Sequence, residues 1–151
     1  MYWLFKSEPT VFSIDHLSRC PEQTEPWDGI RNYQVRNMMR DQMRCGEQGF
    51  FYHSNTTTPG IVGVVQVVRE AYPDVTAFDP QSNYYDPKSN PESPRWYQVD
   101  IQLVRKLKRL ITLNELKQYP TLKDMPLLRR GNRLSITPVT QDQWLFILGL
   151  E

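Results

Sequence analysis

The sequence predicts an α+β domain: a small, strongly curved, mainly antiparallel β-barrel with short helices at its periphery. Three observations lead there. Several runs are rich in β-branched and aromatic residues, which suit a half-buried pleated surface. Turn chemistry separates them, with 12 prolines in 151 residues. No regular alternation of strand and helix patterns occurs, which argues against a doubly wound parallel sheet.

The elements follow in order. YWLFK (2–6) reads as a short aromatic strand. Ser13 is placed to cap a short helix through IDHLSRC. Val35, Met38, Met39 and Met43 fall on one face of a helix over 31–43, with Trp27 and the residues after it forming its approach. GFFYHS (49–54) and IVGVVQVVREAY (61–72) are strands, and the turn-rich NTTTPG between them predicts a hairpin. Residues 73–94 are polar and rich in proline, serine and asparagine, a long loop of the kind that often carries function. In 95–107 the pattern alternates: Tyr97, Val99, Ile101 and Leu103 share one face, Trp96, Gln98, Asp100 and Gln102 the other. TLNE (112–115) is a capping box for a helix to about Tyr119. LSITPV (134–139) reads as an edge strand, because Pro138 has no N–H for a ladder. TQDQ (140–143) caps the last helix. One domain over 1–151 is expected.

Charge and composition narrow the function. Eighteen Lys and Arg against 17 Asp and Glu leave a net charge of +1, so no global field drives non-specific binding to nucleic acid or membrane. Cys20 and Cys45 are far apart and form no C-x-x-C pair, so they predict two reduced thiols and no metal site. With no apolar run near membrane-span length and no signal-peptide pattern at MYWLFK, the expected location is cytoplasmic, with no membrane partner. Two histidines without metal-ligand spacing argue against a zinc enzyme, and no G-x-S-x-G or phosphate-binding glycine loop occurs. No cofactor is expected.

The aromatic residues are the strongest pointer to a ligand. Trp27, Tyr33, Tyr52, Tyr84, Tyr85 and Trp96 lie beside polar, turn-like or basic residues. Ordinary core or rim packing accounts for such residues as well. An aromatic wall beside amides and guanidiniums is also what a flat heterocycle needs, stacking for affinity and amides for identity. His53 on its strand is either a hydrogen-bonded structural residue or a pocket residue. KSEP (6–9) is either a turn motif or a site where Ser7 meets a ligand. In LLRRGNR, Gly131 and Asn132 make a tight turn among Arg129, Arg130 and Arg133, which suits an anion as well as a solvated surface.

The strings YWLFKSEP, WDGIRNYQVRN, FFYHSN, PGIVGVVQVVREAY, YYDPKS, PRWYQVD and PLLRRGNRLS together closely resemble the EVE domain, over roughly residues 2–148. The resemblance implies a PUA-like fold and kinship with YTH domains, which hold a methylated adenine in an aromatic cage. It therefore implies a non-catalytic module that reads a modified base in DNA or RNA. Carried over by position, Ser7 ends the first strand as a polar contact, Trp27 is a cage wall and Asn32 a ligand-facing amide. Tyr52, His53 and Ser54 close the pocket, and Trp96 or the YYD loop forms another wall. Arg31 and Tyr33 complete the expected ligand set, while Arg36, Arg129, Arg130 and Arg133 are the expected phosphate contacts. Two other functions stay open. One is an amidohydrolase of the related ASCH type using Lys6, Ser7 and Glu8, although adjacent strand residues face opposite ways. The other is a protein-interaction module with no base pocket.

Overall fold

The computed structural model describes every residue, Met1–Glu151. Six strands form one mixed sheet: β1 (Tyr2–Ser7), β2 (Thr24–Trp27), β3 (Gln48–His53), β4 (Gly60–Pro73), β5 (Tyr97–Thr112) and β6 (Ile136–Val139). Their order across the sheet is β2-β5-β4-β3-β1-β6. Only the β1–β3 pairing is parallel; the other ladders are antiparallel. Four helices accompany them: α1 (Ile14–Arg19), α2 (Tyr33–Asp41), α3 (Leu113–Leu116) and α4 (Gln141–Leu148).

The sheet does not close into the expected barrel. β2 and β6 remain its two edges. Each is four residues long and carries a proline, Pro26 or Pro138, which cannot donate to a closing ladder. The sheet nevertheless curls. The ring of Trp27 on edge strand β2 lies 5.6 Å from that of Phe5 on β1, four positions away in the strand order. Register shifts along β3–β4 and β4–β5 mark bulges, which bend strands and increase their twist.

Both faces of the sheet are covered, which explains the unbroken apolar runs in β1 and β3. Trp3, Phe5 and Phe51 turn to the face covered by α1 and α2, with Leu17, Val35, Met39 and Met43 fully buried there. Leu4, Phe50 and Tyr52 turn to the opposite face, against Leu116, Trp144 and Ile147. The end helices start as their caps require: Ser13 with His16 and Thr140 with Gln143 close full capping boxes.

Three local expectations are corrected. Trp27 does not approach a helix; it ends β2, a strand too short and polar to show a pattern. The helix begins at Tyr33, with the Asn32 side chain accepting from Val35 N–H as its cap. The helix after Thr112 stops at Leu116, short of Tyr119, which is extended because Pro120 follows it; Glu115 turns its carboxylate to Arg109 and Tyr119 instead of closing the capping box. No helix is long and apolar enough to cross a membrane.

Candidate nucleobase pocket

A cavity of about 250 Å³ opens where the end of β1 meets edge strand β2, beside the buried face that α1 and α2 cover. Three elements wall it. The first is the turn after β1, bearing Ser7, Val11 and Phe12. Its shape comes from the KSEP turn: Val11 and Phe12 N–H groups both donate to Glu8 O, and Ser7 Oγ donates to Phe12 O at 2.6 Å. The second is β2 and the residue after it, bearing Glu25, Pro26, Trp27 and Asp28. The third is Tyr84, from the long loop between β4 and β5.

Trp27 is the structural link between core and cavity. It is 8% exposed, and its ring meets Phe5, Phe51 and Phe12 edge-on at 5.6, 5.8 and 6.2 Å between centroids. The indole N–H groups of Trp3 and Trp96 are taken by Glu47 and Asp86. That of Trp27 bonds no protein group. Thr137 Oγ1 is the one buried side-chain polar atom left without a partner, so the Trp27 N–H reaches the accessible surface. The core thus fixes the indole while leaving its donor free.

Tyr84 is held in place by Arg31. The guanidinium donates to Tyr84 O through both Nε (3.0 Å) and Nη2 (2.6 Å), to Thr76 Oγ1, to its neighbour's carbonyl at Ile30, and to Asp74 at 3.0 Å. It also lies 5.7 Å from the Tyr84 ring and 5.4 Å from the Trp96 ring. Asp74 is fully buried and further bonded by Gly29 N–H and by the N–H and hydroxyl of Thr76. Gly29 has φ +78°, and a Cβ there would stand 2.7 Å from Tyr84 Cζ. Only glycine lets the Tyr84 ring lie against this backbone and wall the cavity.

The side-chain electrostatics are acidic. Burial pushes the Asp28 carboxyl above its usual range, with Asp74 and Glu25 adding to the shift. No lysine or arginine lines the cavity. With the Ser7 proton already given to Phe12 O, the lining offers acceptors at Ser7, Glu25 and Asp28.

The comparisons with known proteins bear on this geometry. The family model described as the EVE domain matches residues 1–150. The chain belongs to the EVE domain family. Human thymocyte nuclear protein 1 is 47% identical over 167 residues, spanning 99% of this chain and 73% of that protein. The crystal structure of human THYN1 in complex with 5-methylcytosine-containing DNA matches with a TM-score of 0.93 at 47% identity, covering 99% of this chain and 96% of that one. A Pseudomonas syringae protein matches with a TM-score of 0.93 at 47% identity, covering 99% of both chains.

Within this EVE domain the sequence-expected residues divide. Ser7 and Trp27 line the cavity, and of the two candidate further walls Tyr84 of the YYD loop lines it while Trp96 does not. Trp96 is buried, bonded to Asp86 at 2.7 Å and stacked on Tyr33 at 4.7 Å. Tyr52 faces the opposite cluster. His53 Nε2 accepts the Ile14 N–H at 3.1 Å, and burial lowers its pKa, so it anchors α1 as a neutral ring. Ser54 N–H donates to Ser7 O. Asn32 Oδ1 is committed to capping α2. Arg36 stacks on Tyr33 at 4.7 Å and donates to Asn37 and to Arg95 O. Arg129, Arg130 and Arg133 are exposed on the Gly131 turn and form no ion pair; Lys6 N–H to Ser135 O ties the following residues to the end of β1. Of Lys6, Ser7 and Glu8, only Ser7 lines the cavity. Glu25, Asp28 and Phe12 escaped sequence reasoning. Glu25 rides on the unrecognised β2, whereas Asp28 sat in plain view inside WDGIRN.

Proposed function

We propose that this EVE domain is a non-catalytic reader that takes a modified base of DNA, of the 5-methylcytosine kind, into the cavity between Trp27, Phe12 and Tyr84. The observation that carries the reading is the aromatic-walled cavity, in a chain 47% identical to human THYN1, whose crystal structure holds 5-methylcytosine-containing DNA. A base read this way leaves its stack and is held between aromatic faces and polar groups. Stacking on such walls contributes roughly 1–3 kcal/mol per base. The methyl group contributes about 0.8 kcal/mol, roughly a fourfold preference. Sharper selection comes from polar groups that a wrong base leaves unsatisfied, at roughly 1–3 kcal/mol each. Arg129, Arg130 and Arg133 take the flanking phosphates in this reading.

The test is a fluorescence titration with otherwise identical DNA oligonucleotides bearing cytosine or 5-methylcytosine at one position. Tyr84 is partly exposed, so Tyr84→Ala leaves the core intact. The expected result is tighter binding of the methylated oligonucleotide, and a loss on the order of 1 kcal/mol, about fivefold, in Tyr84→Ala. Equal affinity for both oligonucleotides, unmoved by Tyr84→Ala, would remove the cavity from base recognition.

A further inference from the structure

The polar groups around the cavity carry a pattern of their own. Glu25 and Asp28 are carboxylates, and ionised carboxylates only accept hydrogen bonds. The Ser7 hydroxyl has spent its proton on Phe12 O and is left with lone pairs. The Glu25 carboxylate has one weak local donor, Cys20 Sγ at 3.4 Å. No cation lines the cavity: Arg31 bonds Asp74 and the Tyr84 carbonyl, and only its field reaches Asp28, opposing the burial that pushes that carboxyl up. Among the lining side chains, the Trp27 indole N–H and the Tyr84 hydroxyl are donors that bond no protein group.

This distribution discriminates between bases that share a methyl group. Thymine and 5-methylcytosine carry the same methyl on the same ring. They differ where thymine has a 4-oxo group and a protonated N3, and 5-methylcytosine a 4-amino group and a bare N3. A carboxylate accepts from the cytosine amino group, the pairing through which Asp and Glu read cytosine in duplex DNA. Against thymine the same carboxylate faces a carbonyl oxygen, two acceptors with no hydrogen between them. A site built to hydrogen-bond a substrate group rejects the analogue lacking it far more strongly than a hydrophobic pocket rejects a missing methyl.

We propose that, within the base-reader reading on which this rests, Asp28 and Glu25 are the specificity-determining residues: they accept the hydrogens of an exocyclic amino group, so the cavity selects 5-methylcytosine against thymine. Trp27 N–H complements them by donating to an acceptor on the ring edge. The Asp28 carboxylate meets its own backbone N–H and no other residue's side chain, which leaves lone pairs for the base.

The experiment compares single-stranded oligonucleotides, which removes the cost of unpairing, bearing 5-methylcytosine, cytosine or thymine at one central position. Wild type is measured beside Asp28→Asn and the Asp28→Asn/Glu25→Gln pair; the amides keep the shape but present a donor. The expected result is at least a tenfold preference of wild type for 5-methylcytosine over thymine. In the double variant that preference falls to within threefold, chiefly through stronger thymine binding. Circular dichroism confirms that the variants are folded. Equal binding of thymine and 5-methylcytosine by wild type, with affinity still lost in Tyr84→Ala, overturns the amino-group assignment and leaves the reader standing. A tenfold preference unchanged in the folded double variant likewise assigns the selection to other groups. Binding of none of the oligonucleotides overturns both.

Discussion

Trp27 turns its ring edge-on into Phe5, Phe51 and Phe12, and the same side chain walls the cavity. One placement therefore serves the core and, in the proposed reading, the base, and truncation to alanine would cost roughly 3–5 kcal/mol of stability. Asp28 presents the opposite case, a residue that the fold tolerates rather than needs. Its carboxyl is pushed up, first by burial and then by Asp74 and Glu25, so folding disfavours its ionised form. The stability it contributes is present below the ordinary carboxylate range and is lost as the pH rises through its raised folded-state value. Asp28→Asn is accordingly expected to raise the thermal midpoint at neutral pH, and the gain should shrink through about pH 4 and vanish by about pH 3, where wild-type Asp28 is protonated folded or unfolded. Calorimetry at the two pH values checks it; a neutral-pH midpoint lower than wild type contradicts the assigned cause.

The loop between β4 and β5 owes its order to one ion pair and its surroundings. Arg31 and the fully buried Asp74 lie 3.0 Å apart, and Arg31 then grips the Tyr84 carbonyl. The single helical turn Val75–Phe78 is capped by the same Asp74. Removing one partner of a buried pair leaves an uncompensated charge and costs roughly 3–5 kcal/mol. Arg31→Ala should fall near the lower end, about 3 kcal/mol, because Gly29 and Thr76 still donate to Asp74. Urea unfolding measures it, and a loss under about 1 kcal/mol would show that the loop is held elsewhere. The far half of β5 is fastened differently, by pairs whose arginines are exposed: Arg105 with Glu151 and Arg109 with Glu115. Those bonds hold both glutamates at about 2, yet water around the guanidiniums keeps their contribution to stability small.

Charge at the scale of the molecule is almost balanced, with a net charge of +1. The proposed DNA binding would therefore rest on local contacts. Arg129, Arg130 and Arg133 stand exposed and unpaired around the Gly131 turn, which the Lys6 N–H to Ser135 O bond ties to the end of β1. If each neutralises one phosphate, the slope of log affinity against log salt is about −2 to −3 on duplex DNA. Replacing Arg129, Arg130 and Arg133 together by alanine should flatten that slope and weaken all oligonucleotides alike, leaving the preference among bases intact. An unchanged slope would place the phosphates elsewhere on the surface.

Much of the architecture was legible in the sequence because it follows from local chemistry. β-branched runs and the NTTTPG turn specified the β3–β4 hairpin, Pro138 marked an edge, and Ser13 and Thr140 announced their helices. Trp27, Ser7 and the YYD loop stood out because their polar and turn-like surroundings match no core pattern. Tertiary structure decided the rest. TEPW carries no periodicity, and becomes β2 only because β5 offers it an edge. Two proline-bearing edges, far apart in sequence, leave the sheet open. Tyr52 and His53 are adjacent and aromatic, but the period of two in a strand sends Tyr52 to the opposite face, and His53 to the N–H of Ile14. Glu25, Asp28 and Tyr84 meet at one cavity because the sheet curls and Arg31 pins a distant loop, relations between segments up to 59 residues apart that no local pattern encodes.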